Sequence, residues 1–236
     1  MNTVAQVMAE LKKKGSAQTR KIFANHGAPD SMFGVKVGDL KTIAKKIKGN
    51  QELALELYET GNSDAMYLAG IVADGSQMTK TLLNKWAKEA NWHMISEYTV
   101  PGVAHMHADA VAIANKWIKS KKEGISTTGW CTYVGALATR DDDELNLDEI
   151  TDYLETIEAG IESAPNRVRY TMNGFVIAVG TYVKPLLKKA KFTAKKIGKV
   201  DVEMGGTSCK VPLATEYIAK VESMKRVGKK RKTIKC

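Results

Sequence analysis

Apolar residues recur at three- and four-residue intervals along most of this 236-residue chain, and only five prolines interrupt them. That spacing is helical, and the strict alternation of a half-buried strand is scarce. The clearest window is 147–162. There Leu147, Ile150, Leu154, Ile157 and Ile161 form one stripe, with Asp148, Glu149, Asp152, Glu155, Glu158 and Glu162 off it. At 38–48, Leu40, Ile43, Ala44 and Ile47 oppose Lys41, Lys45 and Lys46, and Asp39 in the first turn suits the helix dipole. The same reading predicts helices over 3–14, 17–25, 51–60, 63–74, 79–89, 92–98, 103–119, 127–138, 166–182, 186–196 and 213–224. Breaks are expected at Gly15, the loop 27–34, Gly49-Asn50, Gly61-Asn62, Gly75, Pro101-Gly102, Gly124 and Ala164-Pro165. Residues 200–212 read as an irregular loop with some extended character.

Short helices in antiparallel pairs, with no long central one, suggest an α-solenoid over a four-helix bundle. The expected fold is all-α, a superhelix of degenerate HEAT-like repeats with a concave basic face. One domain over 1–224 would be followed by a basic tail at 225–236. A hydrophobic share of 44% excludes global disorder. No apolar run approaches the roughly 20 residues of a membrane helix, so no membrane partner is expected. The N-terminal MNTVAQVMAELKKKG lacks the apolar core of a signal peptide. Cys131, Cys209 and Cys236 lie too far apart for a disulfide scaffold or a CxxC zinc site. A cytoplasmic protein is the expectation. A monomer is compatible with a solenoid whose outer face is polar.

The formal charge is +10, unevenly spread. Residues 1–50 hold ten Lys/Arg against three acids, 141–163 hold ten acids and no Lys or Arg, and 184–236 hold sixteen bases against four acids. Two basic ends around an acidic stripe favour a polyanionic partner, nucleic acid being the commonest. Lysines that merely solvate helix faces give the same composition. The tail KRVGKKRKTIKC reads as a mobile, phosphate-seeking arm, or as a plain solubilising end.

Three segments could carry chemistry. In 90–101, His93 and Glu97 are i,i+4 neighbours on a helix, with Trp92 and Ser96 in the adjoining row. The same spacing suits a packed indole beside a surface His–Glu pair. In 129–133, Trp130 and Tyr133 point the same way, toward a ligand or into a core. In 167–175, Arg169 and Asn173 share one face of an otherwise apolar helix and need partners within the fold or a site to serve. His105 and His107 resemble a metal run but diverge by about 200° on a helix, leaving His105 and Asp109 as a two-ligand fragment. Most metal sites need three or four ligands, so no metal is expected. Cys131 reads as a buried thiol. No GxxxxGK[ST], GxGxxG or GxSxG motif occurs, and nothing requires a cofactor.

The pattern W-[aromatic]-x-x-x-[Asp/Glu]-x-x-x-P at 92–101 resembles the signature of the DNA alkylation repair family, the AlkD-like HEAT-repeat DNA glycosylases. The opening FGVKVGDLKxIAK at 33–45, the blocks 57–60 and 64–69, and the stretch 173–183 with 197–200 and 209–212 are similar to that family in order and span. The resemblance implies an all-α solenoid whose concave basic face holds duplex DNA. It implies hydrolysis of the N-glycosidic bond of N3- or N7-alkylated purines. Such a base is already a cation and a good leaving group. The protein therefore supplies a carboxylate for the oxocarbenium-like sugar and aromatic faces for the lesion. By position, Glu97 falls where the family's catalytic aspartate stands, Trp92 on the tryptophan before the site, and His93 and Phe175 on two site tryptophans. Tyr133, three residues after Trp130, falls on a DNA-contacting arginine. The chain departs from the family pattern at His93, Glu97, Tyr133 and Phe175.

Three functions fit. One is a glycosylase with Glu97 as electrostatic catalyst and Trp92, His93, Trp130, Tyr133, Arg169, Asn173 and Phe175 toward DNA. The second is a DNA- or RNA-binding repeat protein that has lost the activity. The third is a protein scaffold that uses the acidic stretch 141–163.

Overall fold

Nearly every break in the apolar pattern falls at a residue able to end or begin a helix. The computed structural model, which describes residues 1–235, shows thirteen α-helices and no strand among them. The helices group into two compact units. The first is Met1–Asp109 with Met204–Ser208 and Lys235, and the second is Ala110–Glu203 with Cys209–Ile234.

Unit 1 holds α1 (Val4–Lys14), α2 (Ala17–Asn25), α3 (Val37–Lys46), α4 (Gln51–Glu59), α5 (Ser63–Val72), α6 (Lys80–Glu89) and α7 (Val100–Ala104). Short polar residues at the breaks are N-caps. The side chains of Thr3, Ser16, Asn50, Asn62 and Thr79 accept the N–H groups of Gln6, Thr19, Leu53, Ala65 and Leu82. Each such cap is worth about 1 kcal/mol. Leu40, Ile43, Leu53, Leu57 and Leu68 bring their apolar faces into one core. Tyr58 stacks on Trp86 at 3.9 Å and donates its hydroxyl to the Trp86 carbonyl at 2.7 Å, joining α4 to α6.

The region 92–119 differs from the sequence reading. Pro101 does not end a helix. It stands in the first turn of α7, where its missing N–H is harmless. A π-helical turn, Ile95–Thr99, leads into it, with the Val100 N–H reaching back to the Ile95 carbonyl. The break falls instead at 105–109, before α8. Gly70 of α5 lets the π turn approach closely, since a Cβ there would sit 2.5 Å from the Thr99 methyl.

Unit 2 holds α8 (Ala110–Ile118), α9 (Glu123–Thr139), α10 (Leu147–Gly160), α11 (Asn166–Tyr182), α12 (Leu187–Ile197) and α13 (Ala214–Ser223). Gly124, read as a break, lies inside the first turn of α9. Gly129 permits backbone contact between α8 and α9, because a Cβ would lie 2.5 Å from the Ile118 nitrogen. The stripe Ile150, Leu154 and Ile157 of α10 is fully buried, as its period requires. Residues 200–203 and 209–213 run without helix, and Asn166 ties Glu203 through both backbone groups at 2.8 and 2.9 Å.

Candidate nucleic-acid site

Unit 1 carries Trp92, His93 and Glu97. The turn before them is pinned by Asn91, whose amide donates to the Gly61 carbonyl at 3.0 Å and accepts the Ser63 hydroxyl at 3.2 Å. Trp92 is buried. Its indole N–H donates to the His26 carbonyl at 2.9 Å, and its ring packs against Phe23 at 5.2 Å. The half-buried His93 ring meets the indole edge-on at 5.4 Å. Glu97 lies in the π turn and is only 5% exposed, whereas the next residue, Tyr98, is 43% exposed. A carboxylate in so dry a place acts strongly on any positive charge brought to it. Wide turns of this kind recur at functional sites.

Sequence reasoning gave Asp64 no site role. It is 4% exposed at the start of α5. Its carboxylate accepts the Phe33 N–H at 2.6 Å and the Gly34 and Val35 N–H groups at 3.0 Å. Burial pushes its pKa up, against the opposing pull of those three N–H groups and Arg20. The loop entering α3 is thereby moulded around one carboxylate, and Gly34 with φ 79° makes the turn. No local pattern reveals this pairing, since the partners lie about thirty residues away.

Unit 2 brings Trp130, Tyr133 and Phe175 together. Their exposures are 1%, 1% and 0%. Phe175 meets Trp130 at 5.2 Å and Tyr133 at 5.5 Å, all edge-on, and Tyr153 of α10 completes the cluster. The rings pack on one another. The Tyr133 hydroxyl donates to Glu149 Oε1 at 2.6 Å, Asn115 Nδ2 donates to Glu149 Oε2 at 2.7 Å, and the Tyr153 hydroxyl donates to Asn115 Oδ1 at 2.9 Å. Burial, with Glu149 beside it, pushes the Tyr133 hydroxyl far above its ordinary pKa. Glu149, which lies off the apolar stripe, thus anchors α8, α9 and α10. On α11, the Asn173 amide donates to the Pro212 carbonyl at 2.8 Å. Asn173 Oδ1, Arg169 Nε and the Trp130 indole N–H are buried without a hydrogen-bond partner.

The basic tail, read as a mobile arm or a plain solubilising end, is docked by hydrogen bonds. Beyond α13, the Gly228 N–H donates to the Thr181 carbonyl at 2.8 Å and the Arg231 N–H to the Ala138 carbonyl at 2.7 Å. Lys230 donates to the Leu137 carbonyl at 3.0 Å and pairs with Asp142 at 2.8 Å. Positive charge at the carbonyl end of α9 is favourable to its dipole. In unit 1, the Lys235 ammonium donates to the Ala73 carbonyl at the end of α5, and burial pushes its pKa down to about 8.

The two histidines of the 105–109 break bond separately. His105 Nδ1 meets the Pro101 carbonyl at 3.1 Å, and His107 Nδ1 accepts the Asp109 N–H at 2.9 Å. No group of three His, Cys, Asp or Glu residues placed to hold a metal ion occurs among the described residues. Among the same residues, no helix is long and apolar enough to cross a membrane. Cys131 is half-buried and Cys209 exposed, neither in a disulfide.

The sequence model of the DNA alkylation repair enzyme family matches residues 7–196. An uncharacterized protein of Listeria innocua is 38% identical over 94% of this chain and 99% of its own length. A second, from Listeria monocytogenes, is 36% identical over the same shares. Among solved structures, one superposes with a TM-score of 0.90 at 39% identity, covering 99% of this chain and 100% of the other. It represents a new family of proteins related to the HEAT-like repeat DNA glycosylases with affinity for branched DNA structures. The helical architecture is therefore that of the HEAT-like repeat glycosylases, and the chain belongs to the DNA alkylation repair enzyme family.

Proposed function

We propose that this chain binds DNA by its shape, holding branched junctions more tightly than linear duplex. The observation that carries the reading is the near full-length likeness to a solved protein with affinity for branched DNA structures. The packing of Trp130, Tyr133 and Phe175 is in keeping with it. Rings at 0–1% exposure offer no free face to an alkylated base, so in this reading they shape α9 and α11. Asn173, 1% exposed and bonded to the Pro212 carbonyl, belongs with them, and the half-buried Arg169 side chain is the proposed polar contact of unit 2. The test is fluorescence anisotropy on a four-way junction and a linear duplex of equal length, across a salt series. The expected result is a junction affinity at least roughly tenfold higher, a difference of about 1.4 kcal/mol. Equal affinities would overturn the proposal.

A second reading is excision of N3- or N7-alkylated purines with Glu97 as the electrostatic catalyst. Its support is one observation, a buried carboxylate in a π turn beside Trp92 and His93 at the position of the family's catalytic acid. It predicts release of N7-methylguanine by the wild type and loss of release in Glu97→Gln, with DNA affinity retained. Equal release from both proteins would remove Glu97 from the chemistry.

A further inference from the structure

We infer that unit 2 carries a second nucleic-acid site, a cavity at the C-terminus that takes unpaired nucleotides. The inference stands on the geometry of this cavity and not on Glu97 or on junction preference.

The cavity follows from the way α13 and the tail meet. Ala214 and Ile218 bury one face of α13. Tyr217, Lys220, Val221 and Met224 follow the helical period along another face, and that stripe is left open, with Tyr217 48% and Met224 53% exposed. The chain then doubles back. Gly228, with φ 78°, makes the turn, and its N–H is fixed to the Thr181 carbonyl at the end of α11. Arg226 lines the space from the end of α13, its N–H on the Val221 carbonyl, and the chain beyond Gly228 adds Lys229 and Arg231 to the lining. The space enclosed measures about 600 Å³. That is within the roughly 300–1,000 Å³ of sites for small organic groups and far too small for a duplex.

Its chemistry suits a nucleotide strand. Some surface lysines of this chain are matched to acids, among them Lys189, Lys191 and Lys196 with Glu155, Glu222 and Glu158. Around the cavity, unmatched cations are crowded together. Lys220, Arg226, Lys229 and Arg231 have no carboxylate partner among the described residues. Two acids near the cavity are already engaged, Glu222 by Lys191 and Asp142 by Lys230. Four unneutralised cations in one hollow call for several negative charges in a row, as a phosphodiester strand supplies. The Tyr217 ring and the Met224 thioether give a flat apolar body something to lie on. Base–aromatic stacking needs a base outside a duplex. The Thr181 hydroxyl oxygen is buried in this wall without a hydrogen-bond partner, so a ligand's polar group has one waiting for it.

The test is anisotropy of a short dye-labelled oligothymidylate with the full chain, beside the four-way junction. All substitutions are at exposed positions, and thermal melting of each variant checks folding. Lys220→Ala with Arg226→Ala should weaken oligothymidylate binding at least roughly tenfold and flatten the salt slope by about 1.4, at about 0.7 per phosphate of a single strand. Tyr217→Ala should weaken it about five- to a hundredfold, and Tyr217→Phe should restore it, since the ring face is what stacks. Lys12→Ala with Lys13→Ala, the same charge removed from exposed positions on α1, should change little. The site is refuted if the α1 pair weakens binding as much as the cavity pair, if Tyr217→Ala binds like wild type, or if a polyglutamate peptide competes as well as unlabelled oligothymidylate. Junction binding lost with oligothymidylate binding intact would instead count against the junction reading alone.

Discussion

At the residue scale, the groups that organise this protein are buried acids with distant partners. Asp64 holds three consecutive N–H groups of the loop before α3. Removing it leaves those donors without a partner in a dry place. Asp64→Ala should cost about 3 kcal/mol, and Asp64→Asn a substantial part of that, because the amide nitrogen cannot accept. An unchanged urea midpoint in Asp64→Ala would show that the loop is held by other means. Asp64 also marks a limit of sequence reading. It reads as an ordinary first-turn acid, because Phe33–Val35 come near it only in the folded chain. Trp92 shows the reverse. Its importance was legible from its neighbours in the motif, but its hydrogen bond to the His26 carbonyl, sixty-six positions away, was not.

At the element scale, most helices were legible from their own apolar period, and several from a capping residue as well. The window 147–162 became α10, and 166–182 became α11 with the same ends. The errors have a common cause. Pro101 and Gly124 were read as breakers, yet both sit in first turns, where helix N–H groups lack intrahelical partners anyway. The acids of α10 were placed only off its apolar stripe, since the period does not show what a neighbouring helix brings. Glu158 receives the Thr193 hydroxyl at 2.6 Å and Lys196 at 3.1 Å, both from α12. Burial pushes its carboxyl up, but Thr193, Lys196 and Lys189 outweigh that, and its pKa lies below the usual range. The native state thus binds this proton less readily than the unfolded chain. The stabilisation is full above the unfolded pKa of about 4.3 and is lost as pH falls through the lower native value. Glu158→Gln should therefore be less stable at neutral pH and lose less stability on acidification. Parallel acid-unfolding slopes for the two proteins would contradict the coupling.

At the scale of the whole molecule, the excess of positive charge was legible and its disposition was not. The formal +10 counts every lysine alike. In the structure Lys14, Lys46, Lys80 and Lys85 are paired with acids, and Lys230 and Lys235 sit against helix carbonyls. The tail therefore belongs to the fold. A chain ending at Met224 should melt several degrees lower than the full chain, through loss of the Gly228, Lys230 and Arg231 bonds in unit 2. An unchanged melting temperature would return the tail to the role of a free arm.

The π turn at Ile95–Thr99 holds one residue more than a regular turn would. It is a phase shift written into the chain. A regular helix wound from the same residues would turn everything on one side by roughly 100° relative to the other, and the wide turn absorbs that rotation. Trp92 and Pro101 would keep their identities and lose their common bearing. The spacing of the 92–101 motif is thus a length specification as much as a list of residue types. A relative whose helix is regular here would need one residue fewer to keep the same aim, however well the letters on either side agreed.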